Sequence, residues 1–99
     1  MRKVIALPFP DTPIIEDCRA FGRFVRAART QSGMTLADAA LAVGVAKQTL
    51  QDLETGEASV GLSLALKTAQ ALGVAVFASP AQDKARNARR LMEGQRDAA

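Results

Sequence analysis

Thr35–Gly56, T-L-A-D-A-A-L-A-V-G-V-A-K-Q-T-L-Q-D-L-E-T-G, encodes two short helices meeting at a tight glycine-bearing turn. Thr35 is placed to cap the first of them, and Asp38, three residues on, is a short-chain partner for a reciprocal capping box. A carboxylate there also suits the positive end of the helix dipole. Leu36, Ala39, Ala40 and Val43 then recur at helical spacing, and Gly44 takes the left-handed conformation that ends a helix cheaply. In the second run Val45, Thr49, Leu50 and Leu53 face inward, while Lys47, Gln48, Gln51 and Asp52 fall on or beside the opposite face, and Gly56 closes the helix. Two helices crossing steeply over so short a turn need a small residue at closest approach, and Ala40 supplies it.

Such a pair is the layout of a helix-turn-helix, whose second helix lies in the DNA major groove and reads base edges from its leading end. Ala46, Lys47 and Gln48 occupy that end here. Gln48 presents donor and acceptor together, as adenine requires, and Lys47 reaches guanine acceptors or a phosphate. Gln51, one turn along, meets a base or the backbone. Thr49 is suited to positioning or to a phosphate, whereas Asp52 accepts from cytosine only against the repulsion of nearby phosphates. Backbone N–H groups where Thr35 and Leu36 open the first helix form a further phosphate site. The plain alternative for Lys47 and Gln48 is two solvated helix residues, and the surrounding motif favours the DNA reading.

The pattern Ala40, Gly44, Leu50, Leu53, Glu54, Gly56 resembles the lambda-repressor-like family, also called Xre or Cro/cI-type. The flanks match too. V-R-A-A-R-T-Q-S-G-M-T, from Val25 to Thr35, is similar to the end of that family's first helix and its entry loop, and K-T-A-Q-A-L-G-V, from Lys67 to Val74, to the helix after the motif. The resemblance runs from Glu16 to Val76. It implies a mainly α fold of four to five helices, and it pairs Arg29 with Glu54 in a partly buried structural bridge. Two positions depart from the family. Leu36 stands where many members carry a phosphate-bonding glutamine, and Ala46 where a serine or threonine often caps the recognition helix, an absence worth about 1 kcal/mol.

Outside the motif the chain is built lightly. Its 99 residues suffice for one domain; alanine is the commonest residue, tryptophan and tyrosine are absent, and four phenylalanines are the only aromatics. One cysteine excludes an internal disulfide, and without histidine neither a zinc centre nor ordinary acid–base catalysis is expected. With Cys18 placed on an apolar helix face and no phosphate-cradling glycine loop, the reading is no enzyme and no cofactor. The apolar run near the N-terminus ends at Pro8, too soon for a signal peptide or a membrane span, so a cytoplasmic, nucleoid-associated protein is expected.

Charge is unevenly spread. Residues 1–31 carry six basic and three acidic side chains, residues 32–79 two and four, and residues 80–99 five and three. The helix-turn-helix segment is itself acidic, so cations for phosphate must come from the first helix, Arg26 included, and from the tail. Arg19, Arg23, Arg26 and Arg29 line one side of the first helix, with Arg19 and Arg23 read as a solvated edge.

Three segments follow: residues 1–12, an N-terminal strand (Lys3 to Phe9) and proline-rich linker; residues 13–79, the helix-turn-helix domain; and residues 80–99, a basic tail. The first helix is expected from Pro13, capped by Thr12, to Gln31, with Ile15, Cys18, Phe21, Gly22, Val25 and Ala28 inward. A helix from Leu64 to Leu72, with Leu64, Thr68, Ala71 and Leu72 closing the core, gives way to V-A-V-F-A-S-P, whose alternating β-branched and aromatic residues predict a strand. That strand, through Val74, Val76 and Phe77, would pair with Val4 to Leu7 or with its symmetry mate in a homodimer. A terminal strand after L-G-V resembles the HipB-like antitoxins. The tail, with Lys84, Arg86, Arg89, Arg90 and Arg96, is read as unfolded alone and ordering on DNA phosphate or on an acidic groove of a toxin.

The chain is thus expected to be a dimeric repressor of a near-palindromic operator in double-stranded DNA. It would also be the autoregulating antitoxin of a toxin–antitoxin operon, with a HipA-like kinase as the toxin; the alternatives are a stand-alone Xre-type regulator and a toxin-neutralising interaction protein with weak DNA binding.

Overall fold

Helix α1, Cys18–Gln31, begins at a carboxylate: the Ala20 N–H donates to Asp17 Oδ1 at 2.7 Å, and Asp17 itself is extended. A computed structural model of the chain describes residues 3–98, with side chains to Gly94, so the Arg96 side chain lies outside those described. The helix expected from Pro13 is therefore shorter at its start. Asp17 takes the capping role, while the Thr12 hydroxyl accepts only a local turn bond from the Ile14 N–H at 3.2 Å. Ile15 consequently lies outside the helix, and Cys18, at its first position, is exposed instead of in the core.

Helix α2 is Leu36–Val43, with Thr35 Oγ1 accepting from the Asp38 N–H at 3.1 Å and Gly44 closing it at φ 87°. Helix α3, Lys47–Thr55, has Ala46 at its N-cap with no side-chain bond and Gly56 at φ 70° beyond its end. Helix α4, Leu62–Ala71, follows, then the 3₁₀ turn η1, Ala81–Asp83, and helix α5, Lys84–Ala98.

The core is alanine-rich. Val25 and Ala28 of α1, Ala39, Ala40 and Val43 of α2, Leu50 and Leu53 of α3, and Ala65, Ala69 and Leu72 at α4 form one buried cluster. Phe21, Met34, Leu36, Val45, Val60 and Val74 pack around it. On α4 the inward residues are Ala65, Thr68 and Ala69; Ala71 faces solvent. Helices α1 and α3 approach closely at Gly22, where a Cβ would collide with the Leu53 and Glu54 carbonyl groups. Gly56 is equally confined, since a Cβ there would stand 2.7 Å from the Arg19 nitrogen.

Neither expected strand is present among the described residues. Lys3 to Phe9 is extended, but α1 side chains satisfy its backbone in place of a ladder: the Leu7 N–H donates to Thr30 Oγ1 at 3.0 Å and the Leu7 carbonyl accepts from Gln31 Nε2 at 2.8 Å. Phe9 rests on Phe24, ring centroids 5.9 Å apart. The intrachain pairing expected of Val4 to Leu7 is thereby displaced. Val74 belongs to the core, its N–H donating to the Ala69 carbonyl at 2.8 Å, while Val76 and Phe77 are exposed, Phe77 at 73%. A lone extended segment has no ladder to join within one chain. The tail, read from its sequence as unfolded, is helical through α5; the Asn87 amide donates to Ser79 Oγ at 2.7 Å and Arg86 bridges Asp83 at 2.9 Å near the helix start. Among the described residues no helix is long and apolar enough to cross a membrane.

Candidate nucleic-acid interface

The far half of α3 is fixed by a buried ion pair. Arg29 Nε donates to Glu54 Oε2 at 2.7 Å and Arg29 Nη2 to Glu54 Oε1 at 2.9 Å, the two-pronged geometry in which guanidinium and carboxylate match best. The third guanidinium nitrogen, Nη1, donates to the Met34 carbonyl at 2.9 Å. One side chain thus joins α1, α3 and the loop that leads into α2. No buried side-chain polar atom is left without a partner among the described residues, which is the condition under which the attraction within a buried pair offsets its desolvation cost.

The near half of α3 is the opposite in character. Ala46, Lys47, Gln48 and Gln51 are exposed, while Thr49 is half-buried beside the core residues Leu50 and Leu53. Gln48 Nε2 donates to Asp52 Oδ1 at 2.9 Å, one turn along. That bond uses one of the two amide protons and leaves the second, with the carbonyl oxygen, for the paired donor–acceptor contact that an adenine edge offers. Asp52 acts here as a brace for Gln48, a role the sequence did not suggest. An i, i+4 pairing on a helix is the signal that would have shown it.

At the start of α2 the Thr35 hydroxyl is engaged with its own helix, and Leu36 is half-buried against the core. Leu36 therefore serves packing, leaving the first-turn N–H groups of α2 as the polar element at that position. Arg26 is exposed and, with Arg23, lines a groove between α1 and the arm residues Leu7 to Thr12. The structure thus groups Ala46, Lys47, Gln48 and Gln51 on one helix end and sets Arg26 beside the N-terminal arm. Thr30 was missed in the sequence; buried, it receives the Leu7 N–H while its own hydroxyl donates to the Ala27 carbonyl at 3.1 Å.

A rigid helix with an exposed polar leading end, carried by a second helix across a left-handed glycine, is the arrangement that inserts into a major groove. A family model described as helix-turn-helix matches residues 25–77, more than half of the chain, and covers all of α2, α3 and α4. No curated protein matches the chain. The chain belongs to the lambda-repressor-like helix-turn-helix family, a type of sequence-specific DNA-binding regulator.

Proposed function

We propose that this chain is a homodimeric transcriptional repressor that binds a near-palindromic operator, with α3 of each copy reading one half-site. The observation that carries this reading is the division of α3: its trailing end is locked by Arg29, and its leading end offers Lys47 and a braced Gln48 to solvent. Lys47 and Gln48 contact base edges, Gln51 a base or the backbone, and Thr49 a phosphate. The first turn of α2, at Thr35 and Leu36, and Arg26 add backbone contacts. Two such helices related by a two-fold axis would enter successive major grooves about 34–36 Å apart. The exposed Val76 and Phe77 supply apolar surface for joining the copies, either as an intersubunit strand pair or by side-chain packing.

Autoregulation as the antitoxin of a toxin–antitoxin operon is the second reading. Leu41 and Leu62, exposed at 85% and 73%, favour it, because two large apolar side chains on α2 and α4 go beyond what DNA reading requires. A kinase toxin of the HipA-like kind would be the partner. Fluorescence anisotropy against the chain's own upstream promoter and a scrambled duplex tests the first reading: preference for the promoter at physiological salt supports the repressor, and equal weak binding to both rejects it. Co-purification with the product of an adjacent gene, one copy to one, tests the second.

A further inference from the structure

We propose that the face of α5 carrying Arg86, Arg89 and Arg90 binds the phosphate backbone of the duplex, an inference that rests on the DNA-binding reading above. The need for such a surface follows from charge. Residues 32–79 hold two basic and four acidic side chains, and Arg29 of α1 is consumed by Glu54, so the helices nearest the bases bring little positive charge of their own. DNA presents one phosphate charge per about 1.7 Å of duplex axis, and a protein gains most of its non-specific affinity by neutralising those charges.

The geometry of α5 meets that need. Positions 86, 89 and 90 fall within about 100° of helical arc, whose centre lies about 130° round the helix from the half-buried Ala88 and Met92. All three arginines are exposed. Arg89 and Arg90 take part in no ion pair among the described residues, and Arg86 is steadied by Asp83 at 2.9 Å while its side chain stays 58% exposed. The 15-residue helix is about 22 Å long, enough to follow several phosphates along one strand. Guanidinium groups suit the task, because their planar fork donates to phosphate oxygens in pairs. Glu93 lies on the same face, and its charge opposes the contact.

Four proteins in one anisotropy salt series test the proposal: the parent, Arg89→Gln/Arg90→Gln, Arg89→Lys/Arg90→Lys and Glu93→Gln, each checked by circular dichroism for parental helix content. The expected result for the glutamine pair is weaker binding to operator and scrambled duplex alike. Its salt slope should fall by about 0.9 for each phosphate that is no longer neutralised, up to about 1.8. The lysine pair should retain the parental slope, and Glu93→Gln should bind more tightly. A glutamine pair that matches the parent in affinity and slope overturns the proposal and redirects α5 towards an acidic protein partner. Weakening confined to the operator overturns it as well, since it would place the arginines on bases. A parent that binds neither duplex removes the DNA-binding reading itself and this inference with it.

Discussion

The two ends of α3 differ in burial and in what holds them. At the trailing end Leu50, Leu53 and Glu54 are buried, and the backbone packs against Gly22 so closely that no side chain fits between. At the leading end Ala46, Lys47 and Gln48 touch solvent, and the helix lacks even a side-chain cap. Substitutions at one end should therefore change stability, and at the other recognition, with little exchange between the two.

The sharpest way to break that division is Arg29→Ala. It strands Glu54 in the core and should destabilise the domain by about 3–5 kcal/mol in urea denaturation; a double variant that also carries Glu54→Gln should recover part of the loss. Gly22→Ala comes next, at about 1–3 kcal/mol, because α1 and α3 must separate to admit the methyl group. A variant with parental stability would show that this crossing is looser than its geometry implies. Gln48→Ala works at the other end: the melting midpoint should stay unchanged while discrimination between operator and scrambled duplex falls by about 1–3 kcal/mol. Ala46→Ser is the smallest effect and the one that crosses the division: a gain of about 1 kcal/mol from supplying the missing cap, measurable by thermal melting.

The same division explains what the sequence disclosed. Helix ends set by local chemistry were legible: Thr35 caps α2, and Gly44 and Gly56 follow α2 and α3 with positive φ, because each depends on one or two adjacent residues. The start of α1 was not, because Thr12–Pro13 and Asp17 are both plausible openings, and the choice falls to the stronger acceptor. The strand expected at Lys3 to Phe9 rests on propensity, and propensity says nothing of where backbone groups find partners. Thr30 and Gln31, more than twenty residues away in sequence, supply them. Gly22 was legible as a residue on the apolar face of α1, but not as a point of close approach to α3, since that depends on how two helices cross. At the candidate site, the exposure of Lys47 and Gln48 on the first turn of α3 was legible from their position in the motif, whereas the Gln48–Asp52 brace needed rotamers.

The span of the Arg29–Glu54 bridge bears on how the domain opens. Those residues are 25 apart, and all of α2 lies within the loop that their contact closes. Helix α2, only eight residues long, has little stability of its own and cannot hold its amides closed without that closure. Amide protons from Ala39 to Val43 should therefore exchange with solvent through the same opening event as those in the second half of α1. The turn before α3 and the helix behind it would then open and close as one cooperative unit.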